Sequence, residues 1–265
     1  ANHPNQELNV TIGIESGPRA TYGDLAVEGT ERMDPEFVAR HTGLKPGQEY
    51  DPDDLEKARQ RLERLGVFST QKIEEGENLD ANGSLPMALI VKERKLRRIG
   101  AGATISSIDG VGLETFWLHR NLLGKAERLR LDAKVSGLGS TFDYQKFDYH
   151  LGAAFTKPGV FTPDTDLNFS LYATRQVFDD FSENFGGGSV FLTHFLSDEV
   201  TLKGGGFAEY YEFDDDGATQ DFVTFGLTGS LEYDTRDNAL DPTSGFLISN
   251  CVVCTATAIP PDPAA

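Results

Sequence analysis

The chain has 265 residues, 38% of them hydrophobic, and its 42 acidic against 24 basic side chains give a formal net charge of −18. That charge excludes a phosphate-backbone binder, and no stretch approaches the roughly 18–20 apolar residues of a membrane-crossing helix. A mean hydropathy of −0.35 suits a soluble protein, but it suits a membrane β-barrel equally, because half of each barrel strand faces water. Glycine (28) and Phe plus Tyr (18 and 8) far outnumber the single tryptophan, Trp117, which favours strands over a helical core. Both cysteines, Cys251 and Cys254, fall in the last 15 residues, as expected of a chain exported through an oxidising compartment. Ala1–Glu7 lacks a basic-then-apolar leader, so the start is expected to be a truncation inside a strand.

Leu8–Ile14, with Val10, Ile12 and Ile14 on one face, predicts a short strand, and Pro18–Gly29 a second. Asp34-Pro35 pairs an N-cap residue with proline at the first helical position, opening a helix through about His41 that Gly43 ends. Asp51-Pro52 repeats the signal for a longer helix, with Leu55, Ala58, Leu62 and Leu65 at helical spacing and Gly66 as the stop. Val67–Glu74 and Leu85–Glu93 predict two more strands around a polar loop, Glu75–Ser84.

From Arg97 the period changes to two. Leu129, Leu131, Ala133 and Val135 alternate with Arg128, Arg130, Asp132 and Lys134, over about ten residues, enough for a tilted strand to cross a bilayer. Phe147–Phe155, Leu167–Ala173 and Val223–Tyr233 repeat the pattern. Arg97–Ser107 and Leu113–Leu118 precede them, and Ser189–Leu196 and Thr201–Tyr211 carry glycine runs at 186–188 and 204–206. The count is about eight strands, with a ninth beginning at Phe246. Up-and-down order puts His119–Lys125, Pro158–Thr165, Leu196–Glu199 and Asp234–Gly245 on the side where the chain enters. Ser107–Gly110, Ser136–Phe142, Phe178–Asn184 and Phe213–Thr219 fall on the other, where Asp179-Asp180 and Asp214–Asp216 make acidic tips.

Two resemblances follow. Tyr22-Gly23-Asp24, Val27-Glu-Gly29, Gly47–Tyr50, Asp53–Ala58 and Leu65-Gly-Val-Phe68 together resemble a polypeptide-transport-associated (POTRA) module. Glu232-Tyr-Asp-Thr-Arg-Asp-Asn238 with Asp241-Pro-Thr-Ser-Gly245, and Trp117–Gly124, resemble signatures of the outer-membrane protein assembly superfamily of POTRA-plus-surface-antigen barrels. Within it the likeness is nearest to the TamA subfamily, the barrel subunit of the translocation and assembly module, and covers Leu8 to about Ser249.

The fold expected is therefore α+β followed by an antiparallel transmembrane β-barrel. Residues 1–16 would be the remnant of a preceding POTRA module, 17–95 a β-α-α-β-β POTRA module, and 96–249 the N-terminal half of the barrel. The resemblance implies an outer-membrane location with the module in the periplasm, and insertion or secretion of autotransporters and other β-barrel clients without enzymatic chemistry. A general barrel insertase or a porin-like surface antigen is the alternative. It also implies unfolded outer-membrane clients, outer-membrane lipid and a TamB-like inner-membrane-anchored subunit as partners, and no cofactor or metal.

The resemblance makes the first barrel strand the client seam, with Arg97, Gly100, Ala101, Gly102 and Thr104 as its residues; the two glycines are expected to weaken its pairing. Asp234, Arg236, Asp237, Pro242 and Gly245 form the family signature turn. Such barrels have about sixteen strands, so a chain ending near the ninth departs from the pattern and is expected to be inactive alone. Residues 250–265, with three prolines and both cysteines, are expected to be an aberrant, frame-shifted or disordered tail that breaks the alternation.

Other motifs read blandly. Cys251-Val-Val-Cys254 has redox spacing without a helix to carry it. Asp234, Arg236 and Asp237 suit an ionic cluster fixing a hairpin better than catalysis, and His119 suits a turn cap. Lys92, Arg94, Lys95, Arg97 and Arg98 are either a solvated junction or a phospholipid headgroup contact. Asp214–Asp216 lacks the liganding glutamate of a calcium loop.

Overall fold

The computed structural model describes residues 19–106, 110–138, 146–178, 181–215, 218–238 and 240–258. The expected strand at Leu8–Ile14, the remnant module at 1–16 and the acidic tip Asp179-Asp180 lie outside them.

The first unit is a three-stranded sheet carrying two helices. Strands β1 (Thr21–Glu28), β2 (Phe68–Glu75) and β3 (Ser84–Glu93) lie in the order β1-β3-β2, with β1 parallel and β2 antiparallel to β3. Helix α1 (Pro35–Thr42) starts where the Asp34 carboxylate accepts the amides of Glu36 and Phe37, at 3.0 and 3.3 Å. Helix α2 (Pro52–Leu65) starts on Asp51 in the same way, and Gly43 and Gly66 end the two helices at φ of 80° and 66°, a conformation that costs glycine nothing. Leu55, Ala58, Leu62 and Leu65 bury one stripe of α2, and Val38 of α1 joins them against Met87, Leu89 and Val91 of β3. The Tyr22 hydroxyl, fully buried, donates to Asp51 O (2.8 Å) and accepts from Asp51 N (3.0 Å), tying β1 to the start of α2.

The second unit is a nine-stranded meander whose strands follow chain order without a crossover: β4 (Arg97–Ser106), β5 (Gly110–His119), β6 (Arg128–Leu138), β7 (Asp148–Lys157), β8 (Thr165–Val177), β9 (Phe181–Phe195), β10 (Val200–Asp215), β11 (Ala218–Asp234) and β12 (Leu247–Ala258). Its two faces follow from the register. Gly100, Phe116, Asp132, Gly152, Tyr172, Gly187 and Glu209 form one continuous row across β4–β10. The adjacent row on the opposite face holds Trp117, Leu131, Ala153, Leu171, Gly188, Ala208 and Phe225. Leu151 (61% exposed), Leu171 (49%), Phe225 (52%) and Leu227 (70%) stand on this second face with no protein cover. Among the described residues, every buried apolar side chain but Ala126 and Pro158 belongs to the first unit. A sheet with apolar side chains outside and Asp, Glu, His and Lys inside is ordered for lipid, not for water.

The strands outrun the expected ten residues on one side. β9, β10 and β11 reach 15, 16 and 17 residues, so the hairpins expected at Phe178–Asn184 and Phe213–Thr219 are tighter than the sequence suggested. The glycine runs sit inside β9 and β10 and bend the sheet without ending its strands.

The larger difference is at the C-terminal end. The expected break at Asn250 is absent: β12 pairs with β11 from Leu247 opposite Asp234 to Ala258 opposite Val223. Ser249, Cys251, Val253, Thr255 and Thr257 share the polar face, and Ile248, Asn250, Val252, Cys254, Ala256 and Ala258 the lipid face. The alternation persists in muted form, with small and β-branched residues replacing the charged and long apolar ones that make it obvious elsewhere.

Candidate functional site: the first barrel strand and its junction with the POTRA-like unit

Among the described residues, strand β4 stands at one edge of the sheet and pairs only with β5, from Arg97 opposite His119 to Ser106 opposite Gly110. Gly100, Gly102 and Thr104 face the polar interior, whereas Arg97, Ile99 and Ala101 face outward. The glycines do more than loosen pairing. A Cβ on Gly100 would lie 2.2 Å from the Phe116 ring, and one on Gly102 would lie 2.7 Å from the Glu114 carboxylate. Both side chains of β5 therefore lean across β4 into space that only glycine leaves free. The Phe116 ring is capped by the guanidinium groups of Arg130 at 4.5 Å and Arg98 at 5.7 Å. Asp132, one strand further, lies 3.5 Å from Arg130 and 3.4 Å from His150, whose Nδ1 meets Thr174 Oγ1 at 2.8 Å.

The POTRA-like unit grips three successive turns on one side of the sheet. In the β5–β6 turn, the Asn121 side-chain amide donates to Arg32 O (3.1 Å), and Asp34 N donates to Gly124 O (2.9 Å). In the β7–β8 turn, Asp164 receives Arg61 through Nε (2.9 Å) and Nη2 (2.6 Å) and Arg64 through Nη2 (2.6 Å). Arg64 also covers the Phe195 ring at 4.5 Å, and Gln60 donates to Asp198 of the β9–β10 turn at 2.9 Å. Burial alone would raise the Asp164 carboxyl, but the bonds and charges of Arg61 and Arg64 outweigh it and hold the group below its ordinary range. His41 is buried against Phe37 and Gly159. Burial first, and then the charge of Arg64, lower its imidazole to about 4. These contacts place the turns at 120–127, 158–164 and 196–199 on the side of the unit, as the up-and-down count predicts. The clasp itself escaped the sequence reading. Its only signal is Arg61 and Arg64 three residues apart on α2, off the apolar stripe.

The signature residues build a closed turn between β11 and β12. Arg236 forms a two-pronged ion pair with Asp234 (2.8 and 2.7 Å). The Asp237 carboxylate accepts the amides of Asn238 (3.0 Å), Thr243 (2.9 Å) and Ser244 (3.2 Å), together with the Thr243 hydroxyl. The Thr243 hydroxyl, followed by these amides, lowers Asp237 to about 2. Gly245 sits at φ 89° with Thr235 O only 2.1 Å from where a Cβ would be, and Pro242 is exposed within the turn. The turn and β4 belong to opposite ends of the sheet and are not brought together. His119 caps its turn by accepting Asn121 N at Nδ1 (3.3 Å). Cys251 and Cys254 are both unbridged and lie on opposite faces of β12, which rules out a redox pair between them.

A helix pair on a small sheet leading straight into an inside-out meander has counterparts among known proteins. Residues 20–94 match the POTRA model described as a surface antigen variable number repeat, and residues 121–257 match the Omp85 superfamily domain. The chain belongs to the Omp85 superfamily. Its superfamily match runs on through most of β12. It is 26% identical over 250 residues to the outer membrane protein assembly factor BamA of Nitratidesulfovibrio vulgaris, covering 91% of this chain and 30% of that protein. It is 24% identical over 145 residues to BamA of Neorickettsia risticii, covering 54% and 19%. Among solved structures it resembles BamA of Haemophilus ducreyi lacking POTRA domains 1–3 (TM-score 0.66, 15% identity, 91% of this chain and 49% of that one) and CdiB of Acinetobacter baumannii (0.67, 12%, 90% and 46%). The chain thus spans less than a third of the curated relatives and about half of the solved ones. As an Omp85 protein it is an outer-membrane protein with its POTRA module in the periplasm, so the gripped turns are periplasmic. These likenesses are to BamA and CdiB and do not single out the TamA subfamily.

Proposed function

We propose that this chain is the module-to-barrel segment of an outer-membrane protein assembly factor of the general insertase kind, and that β4 is where clients are received. The observation that carries this reading is the covalent run from POTRA strand β3, ending at Glu93, into edge strand β4, starting at Arg97. A strand at a sheet edge presents unpaired backbone groups, ordinarily a liability and here a template for adding a client strand. The POTRA grip on three turns holds that edge at a defined height and orientation. The work is strand exchange without enzymatic chemistry, with unfolded outer-membrane proteins as clients and membrane lipid as the surroundings.

A photo-crosslinker at Ala101, on the outward face of β4, is expected to capture client chains during insertion in the full-length protein; consistent failure along Arg97–Thr104 would sink the proposal. A narrower reading, an autotransporter-dedicated subunit with a TamB-like partner, rests on the turn motifs at Trp117–Gly124 and Glu232–Gly245. Depletion separates the two, because a general insertase is required for all barrels and the dedicated subunit only for autotransporters.

A further inference from the structure

Although the chain carries a net charge of −18, one place in it is almost wholly cationic. Arg94 and Lys95 lie in the connection from β3 to β4, Arg97 and Arg98 open β4, Arg120 follows β5, and Arg128 opens β6. Among the described residues none of these six forms an ion pair. The two carboxylates nearest in sequence are already engaged. Glu93 Oε1 accepts the amides of Glu31, Arg32 and Met33 (2.8, 2.9 and 2.8 Å), and buried Glu127 accepts Lys125 N (2.8 Å). Arg120 donates to Lys95 O at 3.0 Å, which draws the connection and the β5–β6 turn together. Arg120 is partly buried and lies in the field of Arg94, Arg98 and Arg128, all of one sign. Guanidinium groups stay protonated, so an anion reaching the cluster from outside would relieve their repulsion.

The height of the cluster identifies that anion. Trp117, on the lipid face, pairs with Ile99, which is 74% exposed, and with Leu131. Tryptophan on a barrel's lipid face marks the interfacial girdle. Arg97 lies two residues beyond Ile99 toward the periplasm, roughly 7 Å along the strand, at the level of lipid headgroups. Arg94, Lys95 and Arg120 lie further in the same direction.

We propose that this basic collar, whose Arg97 faces outward while Arg98 and Arg128 face the interior, binds at its outward rim the phosphate groups of anionic phospholipids in the periplasmic leaflet, at the foot of the free edge β4. Arg97 would take the headgroup from the lipid side, with Lys95 and Arg120 completing the charge. The collar would then keep negatively charged lipid beside the strand that opens, where local bilayer order bears on client insertion.

The test uses the full-length protein reconstituted in mixed phosphatidylcholine–phosphatidylglycerol vesicles, with one lipid or the other brominated in its upper acyl chain. The quenching that disappears in Trp117→Phe isolates the signal from this site. Brominated phosphatidylglycerol is expected to quench more strongly than brominated phosphatidylcholine at equal mole fraction. The preference should fall by about fivefold for each cation neutralised in Lys95→Gln, Arg97→Gln and Arg120→Gln, while Lys203→Gln on β10 leaves it unchanged. Equal quenching by the two lipids, or a preference indifferent to the three substitutions in a protein with native circular dichroism, overturns the proposal. Loss of the preference on adding inorganic phosphate at constant ionic strength would show a soluble-phosphate site, and its loss on adding an acidic peptide a protein-binding one; either result also overturns it.

Discussion

Asp164 sits in a barrel turn and Arg61 on a periplasmic helix, 103 positions apart, yet they share two hydrogen bonds of 2.9 and 2.6 Å. Arg64 adds a third bond to the same carboxylate. With side chains about a fifth to a quarter exposed, this pairing is sheltered enough to count and wet enough to break. Replacing Asp164 by Asn is expected to leave two uncompensated guanidinium groups and weaken docking by about 1–3 kcal/mol. Hydrogen exchange on α2 reads the change: faster exchange confined to α2 and the β7–β8 turn supports the clasp, and unchanged rates refute it.

His41 makes the same interface sensitive to acid. Its value of about 4 in the folded protein lies below the ~6.5 of a free imidazole, so the unfolded chain binds the extra proton. The stability contributed by this group is therefore fully present above about pH 6.5 and falls by up to roughly 3 kcal/mol as pH drops toward 4. Asp164, lowered as well, adds loss only at lower pH, as the carboxylate itself protonates. His41→Phe should flatten the profile between pH 6.5 and 4; a slope that persists in the variant would remove His41 as its source.

Gly100→Ala is expected to disturb the first barrel strand far more than Ala101→Gly. The added methyl meets the Phe116 ring at 2.2 Å, and overpacking of this kind costs about 1–3 kcal/mol. Gly100→Ala combined with Phe116→Ala should recover much of the loss. Urea denaturation in vesicles measures both, and additive penalties would show that the ring does not depend on the glycine.

Gly245→Ala should loosen the signature turn, since its φ of 89° and the 2.1 Å approach of Thr235 O both exclude a side chain. Exchange at the Thr235 and Phe246 amides, which close the turn, is expected to rise while β6–β8 stay protected. Uniform loss of protection would mean the turn governs folding as a whole.

Cys251 and Cys254 should label differently in the assembled protein. Cys251 faces the polar side beside Thr228 Oγ1 at 3.5 Å and is open to a charged maleimide, whereas Cys254 faces lipid and should react only with a membrane-soluble reagent. Equal reaction with both reagents would contradict the register of β12.

Local chemistry determined most of the architecture. Asp34-Pro35 and Asp51-Pro52 start helices because cap and ring act within a few residues, and Leu129–Val135 declares a strand because its period of two is visible in seven residues. The turns' sidedness followed from counting alone. What only the tertiary structure decided depends on residues far apart in the chain. Asp164 gains its meaning from Arg61 and Arg64, Gly100 from a ring on the next strand, and the six-cation collar from three separate segments meeting. The end of β12 was misjudged for the same reason: its residues alternate too weakly to announce a strand, and the backbone ladder of β11 supplies the order that their side chains do not.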